Sequence, residues 1–204
     1  VKDEHVEQVL AGHKRISPCG ELALMASLVK DAASPFPERA SMLDAAAFAA
    51  LAREYRARIG KMFPGVDLIT DKWLDNSLYV GLIKRMFPAA KIVHALRQPL
   101  DNVLSVYFLD RDPSFGYAFD LGDIAHQLRL SRQLMQHWRG LYGADIVDFD
   151  YDAFVAQPRE TAQDLVGRLG IEWDEECLAF HRRALDKGNV LGLDSTTTRS
   201  MTGL

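Results

Sequence analysis

The chain reads as an α/β protein with a parallel sheet flanked by helices, and three observations predict this. Apolar runs of strand length lie over Val66–Lys72, Lys91–Leu96 and Asp145–Asp150. Segments with helical spacing separate them, as in Asn76–Phe87, where Leu78, Leu82 and Met86 share one face. Strands that alternate with helices pair in parallel, with the helices packed on the sheet.

The elements follow in order. Val6–His13 reads as a helix ending near Gly12, and Ser17-Pro-Cys-Gly20 as a turn before a short helix from Glu21 to about Val29. Ala32–Arg39 carries Ser34-Pro-Phe-Pro37 and reads as a loop. Ser41 or Asp44 can cap the next helix, which runs to about Met62 and is broken by Pro64-Gly65. The first strand, Val66–Lys72, precedes the Asn76–Phe87 helix, which Pro88 ends. The second strand, Lys91–Leu96, leads into a helix from Pro99 to about Leu109, because proline is well tolerated in a helix's first turn. Arg111–Ala118 is a loop, and a long helix spans Leu121–Leu141, closed by Gly143. The third strand, Asp145–Asp150, is followed by helices over Tyr151–Ala156, Arg159–Leu169 and Asp174–Leu185. The tail beyond Gly188 is rich in Thr, Ser and Gly and reads as loop.

Composition excludes several function classes. The 204 residues suit one domain spanning 1–204. A net charge of -4 argues against a nucleic-acid partner held by bulk electrostatics. No apolar run approaches the roughly 20 residues of a membrane span, so no membrane partner is expected. Cys19 and Cys177 are too few and too far apart for a metal cluster or a disulfide framework, which suggests a cytoplasmic setting. Oligomeric state is not legible.

Parallel sheets bind ligands at the carboxyl ends of their strands. The polar residues at or just past those ends are Lys72, Arg97 and Tyr151. Arg97 ends an apolar strand, and Ser105 falls eight residues later on the second turn of the next helix. A guanidinium fork, a hydroxyl and a helix start form a pocket suited to a phosphate. With an amine and a phenol nearby, the rim suits a phosphorylated ligand with an aromatic base. Local alternatives exist for each group. Glu21 can complement a helix dipole, Lys72 can pair with Asp71, and Arg97 can pair with Asp101. Ser105 can bond back to its own helix, and Tyr151 can simply pack. His94 reads as a hydrogen-bonded core residue, and His137 and Trp138 as packing groups.

Ordered pieces along the chain carry a family resemblance: Val6-Glu-Gln-Val-Leu-Ala-Gly-His13, Cys19-Gly-Glu-Leu22, Thr70-Asp-Lys72, Phe87-Pro-Ala-Ala-Lys-Ile-Val-His94, Arg97-Gln-Pro-Leu-Asp-Asn-Val-Leu-Ser105, Tyr117-Ala-Phe-Asp-Leu121, His137-Trp138, Tyr151-Asp-Ala-Phe-Val155 and Leu178-Ala-Phe-His181. In order and spacing they resemble the bacterial sulfotransferases that use 3'-phosphoadenosine 5'-phosphosulfate (PAPS), in the branch related to tyrosylprotein sulfotransferases. The resemblance implies a three-layer, P-loop NTPase-like fold with a central parallel sheet. It implies that Arg97 and Ser105 hold the 3'-phosphate, that Lys72 contacts the sulfate-bearing end, and that Tyr151 contacts the adenine. It matches Glu21 to a proposed base and points to Ser195 as a contact of the phosphosulfate. The family places a strand and a glycine-containing phosphate loop just before the first helix. Val1-Lys-Asp-Glu-His5 stands in that place with no glycine and two acids, so the domain is expected to lack that strand and loop.

The reaction so implied moves a sulfuryl group from PAPS to a hydroxyl or phenol on a small molecule or peptide, leaving adenosine 3',5'-bisphosphate. Such in-line transfers depend on positioning and charge stabilisation, without a required metal. Lys72 suits a point charge on the leaving oxygen, and Glu21 suits a base for the acceptor proton. A non-catalytic nucleotide-binding or interaction protein derived from the family is the alternative. A P-loop kinase is disfavoured because the Gly-Lys-Ser/Thr signature is absent.

Overall fold

A computed structural model describes residues 3–108 and 116–179. The order is α1 (Asp3–Leu10), β1 (Ile16–Pro18), α2 (Leu24–Ala32), α3 (Glu38–Ser41), α4 (Ala45–Met62), β2 (Leu68–Thr70), a 3-10 helix (Leu74–Tyr79), α5 (Val80–Met86), β3 (Ile92–Leu96), α6 (Pro99–Phe108), a 3-10 turn (Gly116–Phe119), α7 (Leu121–Tyr142), a 3-10 turn (Gly143–Asp145), β4 (Ile146–Asp150), α8 (Tyr151–Ala156), α9 (Pro158–Arg168) and a 3-10 turn (Glu175–Ala179).

All strand pairing among the described residues is parallel, as the alternation of elements demands. Ile16 pairs with Leu68 and Pro18 with Thr70. Ile92 pairs with Ile146 and Leu96 with Asp150. The expectation of one central sheet is corrected: the strands form two separate two-stranded sheets, β1–β2 and β3–β4. Among the described residues, each strand therefore keeps one edge without a ladder partner. The inner-face residues still meet in one apolar cluster, where Val6, Val9 and Leu10 of α1 pack with Ile16, Val147, Phe149, Leu165 and Val166. A second cluster joins α2, α4 and α5 through Met25, Leu28, Leu51, Tyr55, Ile59, Leu82 and Met86. Leu68 packs on the first cluster and its neighbour Ile69 on the second, as the alternation of a strand requires.

Other elements differ from the sequence reading for local reasons. Ser17 and Pro18, expected in a turn, belong to β1; the chain reverses only at Cys19-Gly20, where Gly20 takes φ +67°. Proline can sit in β1 because this strand is paired on one side alone. The helix expected from Glu21 starts at Leu24, and the Ala32–Arg39 loop is followed by the one-turn α3 from Glu38. The Asn76–Phe87 helix splits into a 3-10 stretch and α5. Of the two cap candidates for α4, Asp44 acts: its carboxylate accepts from the Ala47 N–H at 2.8 Å. The Asp174–Leu185 helix is a 3-10 turn over Glu175–Ala179, and its remainder lies outside the described residues. So do residues 109–115, which include the first part of the expected Arg111–Ala118 loop, and the tail with Ser195.

Buried and half-buried polar groups staple the elements. Lys84, with 4 % of its side chain exposed, donates to the carbonyls of Pro88 and Ala90 and pairs with Asp145 at 2.8 Å. Asp145 also pairs with Lys91 at 2.8 Å, and hydrogen bonds from these two ammonium groups lower its carboxyl from 3.8 to about 2. His94 faces Asp148 at 3.1 Å across β3–β4, and Arg139 of α7 donates to the same carboxylate, which meets the expectation of a hydrogen-bonded core histidine. Trp138 packs as expected and donates its indole N–H to the Ser77 carbonyl at 2.8 Å.

Candidate active site

The residues singled out from the sequence fall into two couples, one at the carboxyl end of each strand pair. Beyond β1 and β2 the ladder continues for one step, with the Cys19 N–H on the Thr70 carbonyl at 3.1 Å and the Lys72 N–H on the Gly20 carbonyl at 3.0 Å. That continuation sets Glu21 beside Lys72. The Lys72 ammonium donates to Glu21 Oε1 at 2.8 Å, with 18 % of the lysine side chain and 53 % of the glutamate side chain exposed. Gly20 makes the turn possible, because its positive φ is a conformation that a side chain would strain.

Lys72 does not pair with Asp71, the alternative weighed from sequence. Asp71 is occupied by structure: it accepts from Tyr55 Oη at 2.8 Å, Asn76 Nδ2 at 2.9 Å and the Trp73 N–H at 3.2 Å. Burial, then the Asp71 charge, pushes the Tyr55 phenol well above the tyrosine range. Burial first, then the charges of Asp71 and Glu7, pushes the Cys19 thiol up to about 11, so this cysteine is no nucleophile at neutral pH.

The second couple stands beyond β3 and β4. The Arg97 guanidinium lies over the Tyr151 ring, 5.2 Å from its centroid. The two connections are stitched together here. The Gln98 N–H donates to Asp152 at 2.7 Å, and Asp150 caps α8 through the N–H groups of Asp152 at 2.9 Å and Ala153 at 3.1 Å. Arg97 forms no ion pair with Asp101 or with any other described carboxylate, and its Nε is buried without a hydrogen-bond partner. Ser105 sits half-buried on the second turn of α6 and makes no hydrogen bond back to that helix among the described contacts. Ser195 lies outside the described residues. Among the described residues, no hydrogen bond or ion pair joins one couple directly to the other.

Two residues of α1 that the sequence reading passed over complete the picture. The His5 ring lies 5.3 Å from the Tyr151 ring, tilted by 30°. Glu7, only 9 % exposed, accepts at Oε1 from the Gly20 N–H at 2.9 Å and from Thr70 Oγ1 at 2.7 Å. The available signal for Glu7 was an acid set beside the Val6, Val9, Leu10 stripe of an amphipathic helix. Among the described residues, no group of His, Cys, Asp and Glu could hold a metal ion, and no helix is long and apolar enough to cross a membrane.

The arrangement is thus an α/β fold with one side-chain couple at the carboxyl end of each parallel strand pair. The model of the Sulfotransferase family matches residues 4–175, so the chain belongs to the sulfotransferase family. A protein of Aquifex aeolicus (strain VF5), described as uncharacterized, is 31 % identical over 189 residues, covering 86 % of this chain and 25 % of that protein. The chain thus spans about a quarter of that relative's length. Among solved structures, the Sulfotransferase Domain from the Curacin Biosynthetic Pathway superposes with a TM-score of 0.57 at 16 % identity, covering 84 % of this chain and 71 % of that one. That likeness establishes a sulfotransferase-like fold with small parallel sheets.

Proposed function

We propose that this protein transfers a sulfuryl group from PAPS to a hydroxyl or phenol acceptor, on a three-layer scaffold of the P-loop NTPase type. The observation that carries the nucleotide half is Arg97: a strand-end guanidinium without a carboxylate partner, its buried Nε unsatisfied. A buried donor left unpaired is costly, so an anionic ligand that accepts from it is favoured. Ser105, with its hydroxyl uncommitted to the helix, supplies a second donor for the same phosphate. Tyr151 holds the guanidinium in place and offers an aromatic edge for the base. Ser195 is assigned to the phosphosulfate on family resemblance.

PAPS brings an activated sulfuryl group and a good leaving group. The chain's own residues hold and polarise. Lys72 is a compact three-donor charge suited to negative charge growing on the leaving oxygen. Glu21 offers a carboxylate oxygen to the acceptor's proton. Their contact at 2.8 Å keeps base and cation within one reacting radius. The acceptor, a small molecule or a peptide, enters from the side of Glu21, the more exposed member of the pair.

The test is nucleotide discrimination by titration calorimetry. Adenosine 3',5'-bisphosphate is expected to bind and ADP to bind at least about tenfold more weakly, because ADP lacks the phosphate that a charge-assisted contact would read. Equal affinity for the two, or no loss in Arg97→Ala, would remove the reading.

A further inference from the structure

The two couples stand on different strand pairs, and α1 reaches both. His5 and Glu7 are two residues apart on this helix, so their side chains leave it about 200° apart, on nearly opposite sides. His5 meets Tyr151 of the β3–β4 couple, with ring centroids 5.3 Å apart. Glu7 meets the ends of β1 and β2, its Oε1 accepting from the Gly20 N–H at 2.9 Å and from Thr70 Oγ1 at 2.7 Å. Gly20 immediately precedes Glu21, and Thr70 lies two residues before Lys72. The helix is anchored between them: Val6, Val9 and Leu10 are 0–6 % exposed and pack against Val147 and Phe149.

A carboxylate at such a place is not needed for packing. A leucine would bury more apolar surface and would avoid desolvating a charge. What the carboxylate adds is a pair of charge-assisted hydrogen bonds that tie two strand ends to one point on one helix. We propose that Glu7 is a positioning residue for the transfer pair: by holding the Cys19-Gly20 turn and Thr70 together, it sets Glu21 and Lys72 at bonding distance and fixes them, through α1, relative to Tyr151 and Arg97. This rests on the sulfotransfer reading above, and it assigns Glu7 no contact with substrate.

The experiment compares Glu7→Gln, Glu7→Leu and Thr70→Val with the parent chain. It reads kcat, donor KM, affinity for adenosine 3',5'-bisphosphate, and the pH titration of the Glu21 carboxyl resonance by 13C NMR. Glu7→Gln keeps an acceptor oxygen and retains near-parent values. Glu7→Leu lowers kcat by roughly 10- to 100-fold, the cost of misplacing a catalytic group by about 1 Å. It leaves donor KM and nucleotide affinity near those of the parent and moves the Glu21 titration. Thr70→Val, which removes one of the two hydrogen bonds and conserves shape, moves the same readouts by less. A folded Glu7→Leu protein with parent kcat and parent Glu21 titration overturns the proposal. Where Glu7→Leu does not fold, an unchanged Thr70→Val protein overturns it. If the parent chain turns over no acceptor, that result counts against the sulfotransfer reading, and the Glu21 resonance alone decides the role of Glu7.

Discussion

Glu21→Gln separates a structural from a chemical role for the Lys72–Glu21 contact. The substitution keeps shape and removes charge. The contact is short, 2.8 Å, but more than half of the glutamate side chain faces solvent. Water screens such a pair, so its contribution to stability is at most about 1 kcal/mol. In a domain of this size that is a fall in Tm of about 2–4 °C. As a base, the same carboxylate is worth about 10²–10⁴-fold in turnover, or roughly 2.7–5.4 kcal/mol of barrier. The two roles thus differ by several kcal/mol in where the loss appears. The assay is paired: thermal unfolding of the variant, and steady-state transfer from PAPS to a phenol acceptor such as 4-nitrophenol. The expected result is a small shift in Tm, a kcat lowered by at least about a hundredfold, and a donor KM close to that of the parent. Turnover within about threefold of the parent, with Tm lowered, would leave only the ion pair and refute the assignment of a base.

Further outcomes test the rest of the molecule. Arg97→Lys keeps charge but loses the planar fork, and it should weaken adenosine 3',5'-bisphosphate by about tenfold while Tm stays within a few degrees, measured by calorimetry and thermal shift. Gly81→Ala should destabilise by about 1 kcal/mol in urea unfolding despite alanine's better helix propensity. Its Cβ would lie 3.0 Å from Trp138 Cη2, and the indole is pinned by its bond to Ser77, so Trp138→Phe in the same chain should relieve the loss. Asp145→Asn should show an acid-dependent difference. The native carboxyl titrates at about 2 rather than 3.8, so its contribution is present above about pH 4 and fades as pH falls toward 2. The gap in urea midpoint between parent and variant should be widest near neutrality and close by pH 2.

The legible part of the fold was its apolar periodicity. β3 and β4 lie where their apolar runs placed them, and α7 runs over Leu121–Tyr142 against an expectation of Leu121–Leu141. β1 was missed because a three-residue strand of Ile, Ser and Pro carries no period, and its pairing with Leu68–Thr70 is a tertiary fact. The Asn76–Phe87 segment has a helical stripe along its whole length, yet its first part is wound as a 3-10 helix, where Trp73 and Asn76 bond Asp71 in place of a regular α-turn. For the candidate site, the strand-end rule singled out Lys72, Arg97 and Tyr151 without knowing their partners. It could not tell that Lys72 would choose Glu21 over the adjacent Asp71, because that choice depends on Tyr55 and Asn76 having already filled the Asp71 carboxylate.

The same competition for hydrogen-bond partners explains how Arg97 stays without a carboxylate partner although acids lie beside it in the fold. Among the described residues, Arg15, Arg58, Arg139, Arg159 and Arg168 each have a carboxylate partner, as do Lys72, Lys84 and Lys91. Around Arg97, the acids that could neutralise it are tied down by the backbone. Asp150 caps α8, and Asp152 accepts from the Gln98 N–H. A capping carboxylate meets its demand with N–H donors and has little to gain from a guanidinium. Tyr151 then offers the arginine an aromatic face, which holds the group in position without cancelling its charge. Removing that occupation should therefore be felt at Arg97: Gln98→Pro deletes the N–H that engages Asp152, together with the Gln98 Oε1 that accepts from the Asp101 N–H at the start of α6, and the affinity for adenosine 3',5'-bisphosphate, measured by calorimetry, should fall.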